Sequence, residues 1–409
     1  MLHEASRHEP LIPAQWNETA ARTCIVTIAR DAVASYSPQA LWPSHPLDLG
    51  FHPVDEPSAN VRWDLYIGAA GTIWALNHLA TSGLPINLPQ FTEVVPSLLE
   101  PNRARIRAME PKGHSHGPHG FLTGNTGILL LQARLSGPAS VAGQIGAAVD
   151  ANQDNPAHEL MWGSPGTALA CLWLYEWAGG EIWADKFRRD VGLLWEQLRL
   201  FDAARCYLWA QSLYGRVAIH LGAVHGFAGN AFPVIRGWKL LSPLDQSRWA
   251  ERLAESLRRT AIWEDDRANW PQFVGKHRPG RSAMLVQHCH GAPGIVNCFA
   301  GFPDGAIDDL LIAAGNMTWH AGPLQKGSGL CHGTAGNGYA FLKLFRRTGD
   351  QRWLDRARSF AMHAIGQHER DVTKYGQCRY TLWTGDLGLA VYLWNCIAAT
   401  DLFPTMDNF

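Results

Sequence analysis

The feature that most constrains the fold of this 409-residue chain is a glycine pair that recurs seven times. Each copy reads Gly-x-x-Gly and is followed at once by an apolar run, and successive first glycines are about 40 to 65 residues apart. Two helices with their connections need that much chain. The first glycines of the seven copies are Gly68, Gly124, Gly163, Gly226, Gly291, Gly333 and Gly385.

Two kinds of helix alternate along the chain. The runs that follow the glycine pairs, such as "GSPGTALACLWLYEWA", are apolar nearly all round and therefore predict buried helices. The intervening segments, such as "DQSRWAERLAESLRRTAIW", have one apolar stripe and one charged face. Few segments alternate as strands do. The pattern predicts an all-α fold, an (α/α) toroid or double α-barrel with seven inner helices, formed by one domain over residues 1–409.

The residues just before each first glycine are expected on the rim of the ring, where the inner helices begin and where a Cβ on the glycines would clash. Cys289 in "QHCHGAPGIV" and Cys331 in "GSGLCHGTAGNGYAF" have equivalent rim positions. Two thiolates and one imidazole are a recognised zinc set, and three protein ligands leave a fourth position open. We assign Cys289, Cys331 and His332; His290 has the same offset as His332, so the sequence leaves an exchange of the two histidines open. The alternative is that these residues simply pack a crowded rim.

Other rim residues are candidates for acid–base chemistry. His225 stands directly before Gly226 and is a candidate general acid, with a capping or core role as the alternative. Glu159, four residues before Gly163, is a rim carboxylate that can relay protons or orient His225, with an ordinary helix-cap or surface role as the alternative. The histidines of "GHSHGPHG" (His114, His116 and His119) resemble a metal tract, but an exposed Gly/Pro loop is the favoured interpretation.

Composition and charge exclude several partners. The formal charge is −1 and no basic block is present, which disfavours nucleic acid and acidic membrane surfaces. No apolar run reaches the length of a membrane span, and the N-terminus lacks the pattern of a signal peptide, so we expect a cytoplasmic protein without integral membrane association. The chain has eight cysteines, and no disulfide framework is expected among them. The glycine pairs lack the context of a nucleotide-binding loop.

Three longer strings are more specific than the glycine pairs. They are "LGAVHGFAG" at 221–229, "CHGAPG" at 289–294 and "KGSGLCHGTAGNGYAFL" at 326–342. With them, nearly the whole chain resembles the lanthionine synthetase C-like family, in particular its eukaryotic-type, glutathione-binding branch. The resemblance implies a double α-toroid with zinc held by Cys289, Cys331 and His332. It also implies that His225 is the acid–base histidine, that Glu159 is the rim acid, and that Lys326 and Arg379 contact glutathione.

The resemblance has two departures. His288 stands where the family usually has tryptophan before the first zinc cysteine, which can alter the cavity wall or place another base near the metal. Thr384 directly precedes Gly385, the first glycine of the seventh pair, where the eukaryotic-type members have an acid. Both changes leave the zinc set intact and bear on the peptide preference.

The resemblance implies a zinc-dependent enzyme that forms thioethers. A thiol, glutathione in this branch, adds to dehydroalanine or dehydrobutyrine in a peptide or protein that arrives already dehydrated. One alternative is a non-catalytic glutathione-binding or scaffold protein with a structural zinc. Another is a lanthipeptide cyclase that acts on its own precursor. Glycoside hydrolysis is disfavoured, because it needs two carboxylates across the cavity and Glu159 has no obvious partner.

Overall fold

The computed structural model describes residues 2–51, 62–110, 116–275 and 284–409. Seven helices begin directly after the first glycine of each pair, and that glycine is the N-cap in every case. Their residues are largely buried, as the apolar runs predict. The inner helices are Ala69–Thr81 (α2), Asn125–Ser136 (α5), Ser164–Ala178 (α7), Phe227–Arg236 (α9), Ala292–Phe299 (α11), Thr334–Thr348 (α13) and Asp386–Ala398 (α15).

The inner helices form a closed ring. Each one contacts the next along the chain, and the last, α15, contacts the first, α2. This closure confirms the predicted helical toroid. The remaining helices are Glu18–Ala34 (α1), Val94–Ser97 (α3), Leu99–Met109 (α4), Ala142–Ala151 (α6), Glu181–Gln197 (α8), Pro243–Thr260 (α10), Asp308–Ala321 (α12) and Gln351–Tyr375 (α14).

The longer outer helices bury one stripe and expose the other. In α10, Trp249, Leu253 and Leu257 are fully buried at four-residue spacing, while charged residues cover the opposite face. Its first turn is capped by Ser242, whose Oγ accepts the backbone N–H of Asp245 at 3.1 Å. The charged stripe in the sequence therefore marks the outer layer correctly.

A chain of backbone hydrogen bonds runs along the rim and links equivalent positions, each two residues before a first glycine. The amide of one repeat donates to the carbonyl of another, so the rim segments are held together edge to edge. The links are Cys289 to Cys331 (3.0 Å), Cys331 to Trp383 (2.8 Å), Trp383 to Tyr66 (3.2 Å), Tyr66 to Leu122 (3.0 Å) and Leu122 to Met161 (3.2 Å).

This chain of hydrogen bonds stops between Met161 and the equivalent residue Val224. Within the described ranges, neither amide donates to another backbone carbonyl, and the Met161 amide donates instead to Oε2 of Glu159 at 3.0 Å. Among the described residues the link from Val224 to Cys289 is absent as well, and the Glu159 carboxylate takes the place of the missing carbonyl at Met161, next to His225.

The second glycine of each pair allows this crowding. A Cβ on Gly336 would overlap the carbonyl oxygen of Leu330, six residues earlier, and the same overlap recurs at every second glycine. The expectation that a Cβ would clash at the rim is confirmed, because the clash is with rigid backbone and no side chain can move to relieve it.

The described residues also contain seven short strands, more than the sequence suggests. They lie in the segments before α9 and α11 and form three antiparallel sheets, with registers such as Leu200↔Tyr207, Ser212↔Val217, His220↔Phe273 and Trp263↔Ala268. The strands are Arg199–Phe201 (β1), Cys206–Leu208 (β2), Gln211–Leu213 (β3), Arg216–His220 (β4), Ile262–Glu264 (β5), Arg267–Asn269 (β6) and Phe273–Val274 (β7).

None of the described helices combines the length and the apolar character needed to cross a bilayer.

Candidate metal centre and its acid–base neighbours

The structure brings together the three residues predicted as metal ligands. Cys289 lies just before α11, and Cys331 and His332 lie just before the neighbouring helix α13. One ligand atom from each residue lies within 4.8 Å of the others. The backbone hydrogen bond from the Cys289 amide to the Cys331 carbonyl fixes the two segments side by side.

The two sulfurs are strongly coupled when no metal is bound. Contact with Cys331 and the nearby charges of His290 and His332 hold the pKa of Cys289 well below the usual range, in spite of burial. The same contact with Cys289, together with burial, raises the pKa of the Cys331 thiol well above the usual range. A metal ion bound to both sulfurs would stabilise both as thiolates.

Two side chains that the sequence analysis did not select hold the sulfurs in place. Gln287 donates from Nε2 to the Cys289 sulfur at 2.9 Å, and the buried Tyr66 hydroxyl hydrogen-bonds to the Cys331 sulfur. Tyr66 has the same offset before Gly68 that Cys331 has before Gly333, so the repeat pattern could have identified it. Such outer contacts orient metal ligands and tune their basicity.

The donor set fits a borderline-soft ion such as zinc, because two buried sulfurs, one of them held by a hydrogen bond from Gln287, lie close to the imidazole of the half-buried His332. Of the two histidines that the sequence left interchangeable, His332 is the one grouped with the sulfurs. The Nε2 atom of His290 lies instead 3.3 Å from Nε2 of Gln272.

His225 and Glu159 form a directly hydrogen-bonded pair. Nδ1 of His225 lies 2.9 Å from Oε2 of Glu159, and the carboxylate is fully buried. The same carboxylate accepts the backbone amides of Met161 at 3.0 Å and Trp162 at 2.6 Å. Glu159 is therefore both a cap of the rim turn and the orienting partner of His225, which combines the two roles that the sequence left as alternatives.

The environment of His225 favours its protonated form. Burial alone would lower its pKa, but the Glu159 carboxylate and then the Cys289 sulfur outweigh burial and raise the pKa above the ordinary 6.5. The influence of Cys289 shows that His225 is within electrostatic reach of the sulfur pair. About a fifth of the His225 side chain stays exposed, at 21%.

The β3–β4 hairpin covers this pair. The Tyr214 ring at its turn packs edge-on against the His225 ring at 6.1 Å, and the Tyr214 hydroxyl accepts the Trp162 indole N–H at 3.2 Å. His116 accepts the Tyr214 amide at 3.1 Å, so it supports the hairpin. His119 lines a different pocket beside α5, and His114 lies outside the described residues.

Lys326 and Arg379 line one surface pocket, together with His45, Asp371 and Thr384. Lys326 is exposed, and its charge acts on Cys331. Arg379 is largely buried, and its Nε donates to Oδ1 of Asp48 at 2.8 Å. The pocket thus offers one exposed cation and one that already has a carboxylate partner.

His288 lies in the core. Its ring is fully buried and stacks on Phe403, with centroids 4.4 Å apart, and its Nδ1 lies 3.0 Å from the Asn297 amide nitrogen. Burial lowers its pKa to about 4, so it is a neutral packing residue. Thr384 is buried, and its hydroxyl pairs with that of Thr381 at 2.9 Å.

Comparison with known proteins identifies the family of this chain. The model of the family described as lanthionine synthetase C-like protein matches residues 59–407. The chain belongs to the lanthionine synthetase C-like family. All seven glycine pairs and the predicted site residues fall within the matched range, namely Glu159, His225, Cys289, Lys326, Cys331, His332 and Arg379.

Two curated relatives align over part of the chain. Glutathione S-transferase LANCL1 of Danio rerio is 31% identical over 191 residues, which is 46% of this chain and 44% of the relative. LanC-like protein GCL1 of Arabidopsis thaliana is 43% identical over 100 residues, which is 23% of this chain and 22% of the relative. The chain therefore matches less than half the length of each of these relatives.

Among solved structures, nisin cyclase has a similar fold. It superposes with a TM-score of 0.52 at 14% sequence identity and covers 82% of this chain and 94% of the cyclase. This likeness supports the helical toroid of the lanthionine synthetase C-like family.

Proposed function

We propose that this lanthionine synthetase C-like protein is an enzyme that adds the thiol of glutathione to dehydroalanine or dehydrobutyrine in a peptide or protein. The observation that carries the proposal is the convergence of Cys289, Cys331 and His332 beside the hydrogen-bonded pair of His225 and Glu159. A relative is named as a glutathione S-transferase, which supports glutathione as the thiol.

The proposed metal is zinc, held by Cys289, Cys331 and His332. Bound there, it would supply the positive charge that keeps an incoming thiol deprotonated at neutral pH. Gln287 and Tyr66 hold the two cysteine sulfurs by hydrogen bonds and keep them aimed at one point.

His225 delivers the proton in the proposed reaction. The thiolate sulfur bonds to the β-carbon of the dehydroamino acid, and the π electron pair moves to the α-carbon and its carbonyl as an enolate. The His225 imidazolium then protonates the α-carbon, and solvent, which has taken up the thiol proton, reprotonates His225. Glu159 fixes the ring through Nδ1, which leaves Nε2 to face the substrate.

Lys326 and Arg379 are the proposed anchors for the carboxylates of glutathione. Lys326 is exposed beside the pocket and can form a charge-assisted hydrogen bond directly. Arg379 shares its guanidinium with Asp48, so a glutathione carboxylate there competes with an internal one. We therefore assign the larger part of glutathione recognition to Lys326.

The test is incubation of a dehydroalanine-containing peptide with glutathione and purified, zinc-loaded protein, followed by mass spectrometry. We expect an enzyme-dependent mass gain of one glutathione per dehydroalanine, absent without enzyme and absent with the Cys331→Ala variant. No gain from protein with a measured zinc content would contradict the proposal. Tight glutathione binding without turnover would then favour the non-catalytic alternative, and ring closure of a precursor peptide would favour the cyclase.

A further inference from the structure

A second group of metal-type ligands lies apart from the three residues described above. It consists of His368 on α14, Cys378 in the loop after α14, and Asp386, the first residue of α15. One ligand atom from each lies within 4.8 Å of the others, and all three residues are buried. In a tetrahedral site with bonds of about 2.0–2.3 Å, ligand atoms are about 3.3–3.8 Å apart, so only small shifts would be needed.

The local backbone fixes Asp386 in this group. The Arg379 amide donates to Oδ2 of Asp386 at 2.7 Å, and the Asp386 amide donates to the Arg379 carbonyl at 2.8 Å. This reciprocal pair holds the carboxylate next to Cys378, the neighbour of Arg379 in the chain. The other oxygen, Oδ1, is left facing His368.

His368 points a nitrogen into the group without completing a hydrogen bond. Its Nδ1 lies 3.0 Å from Oδ1 of Asp386, but this buried nitrogen has no partner with hydrogen-bond geometry among the described residues. A buried imidazole nitrogen normally satisfies its hydrogen-bonding capacity. The short distance without that geometry is what is expected where both atoms face a third centre.

We propose that His368, Cys378 and Asp386 form a second metal site, selective for zinc-type divalent ions. One nitrogen, one sulfur and one carboxylate oxygen are zinc ligands, and the set leaves a fourth position. Asp386 also lines the surface pocket that contains Lys326 and Asp371, and this pocket gives an ion a route from solvent. The proposal does not depend on the thiol addition proposed above.

The test is metal stoichiometry by mass spectrometry on protein stripped with a chelator and reloaded with zinc. Reloading with cobalt adds a second readout, the near-ultraviolet thiolate-to-cobalt charge-transfer absorption. We expect two ions per chain in the wild type, one in Cys378→Ser, one in Cys331→Ala and none in the double variant. Cys24→Ser is the matched control, because Cys24 is a buried thiol on α1 outside the group, and it should retain two ions.

Asp386→Asn separates loss of metal binding from loss of the fold. Its amide oxygen can still accept the Arg379 N–H, while the negative charge is lost. We expect this variant to unfold as the wild type does and to bind one ion. Retention of the full wild-type metal content in both Cys378→Ser and Asp386→Asn would overturn the proposal. A single bound ion that is lost only in Cys331→Ala would also overturn the proposal. A single bound ion that is lost only in Cys378→Ser would support the second site and contradict the first metal centre.

Discussion

Nδ1 of His225 lies 2.9 Å from Oε2 of Glu159, beside Met161, where the chain of backbone hydrogen bonds that starts at Cys289 ends. The carboxylate replaces a backbone carbonyl as acceptor for the Met161 amide. One side chain thus completes the rim and orients the acid–base histidine. Removal of its charge should therefore alter both stability and the pH dependence of the reaction.

Glu159→Gln should shift the alkaline limb of the activity profile to lower pH by about one unit or more. The carboxylate favours the imidazolium of His225, so its loss lowers the pKa that burial alone would already depress. The proton donor is then lost at a lower pH. The measurement is the initial rate of glutathione addition between pH 5 and 9. An unshifted limb would remove Glu159 from the acid–base pair.

The same substitution also tests the linkage to folding. The raised pKa of His225 contributes stability that is fully present below the unfolded value of 6.5 and is lost as pH rises through the folded pKa. In Glu159→Gln, where burial holds the pKa of His225 below 6.5, the pH dependence should reverse, so that stability is lost as pH falls through the folded pKa. An amide has one acceptor oxygen for two backbone amides, so a uniform loss of about 1–3 kcal/mol is also expected. Urea unfolding at several pH values separates the two effects.

His225→Ala should lower kcat by about 10²–10⁴-fold while the metal content stays at the wild-type level. The reason is that His225 is positioned to protonate the α-carbon and is not grouped with the metal-type ligands. Parallel measurement of turnover and zinc content decides the matter. Wild-type turnover would contradict the assigned role, and loss of zinc together with activity would indicate a structural one.

Cys331→Ala should lose the ion bound at the first centre and all detectable turnover, because it removes one sulfur of the pair. The control is Cys298→Ala, a fully buried thiol on α11, the helix that follows Cys289. We expect the control to lose some stability and to keep both metal and activity. Zinc analysis and the peptide mass assay on both variants give the comparison, and an active, fully metallated Cys331→Ala would contradict the metal assignment.

Lys326→Met should raise KM for glutathione about tenfold or more and leave kcat nearly unchanged, since one charge-assisted hydrogen bond is lost away from the reacting atoms. A neutral small thiol such as 2-mercaptoethanol should react with the variant as it does with the wild type. Steady-state kinetics with both thiols checks this. Equal losses with the two thiols would assign Lys326 a structural role.

Gly336→Ala should destabilise the fold by about 3 kcal/mol or more, because the new Cβ would overlap the Leu330 carbonyl and the rim backbone would have to move. Gly192→Ala is the matched control. Gly192 lies inside α8 with open space around its Cβ position, so alanine there should stabilise by about 0.4–1 kcal/mol. Thermal unfolding of both variants gives the test. Equal Tm values would contradict the role of the second glycine.

Much of this molecule follows from the sequence alone. Seven glycine pairs, each followed by a helix without a polar face, require seven buried helices and seven crowded turns, and a ring is the arrangement that satisfies both. The fixed offset of Cys289 and Cys331 from their glycines then places both sulfurs at equivalent points of the rim. Repeats convert a position in the sequence into a position in space, which is why the three-residue centre was predictable.

The tertiary structure decided what the repeats do not encode. His332 and His290 share one offset, and only the packing of their side chains separates the residue that meets the sulfurs from the one that meets Gln272. Arg379 and Asp48, which form an ion pair, are 331 positions apart in the sequence, and no local sequence pattern predicts their contact. The group of His368, Cys378 and Asp386 forms only because α14 folds back along α15. Contacts between distant segments depend on how helices pack, and that information is spread over the whole core.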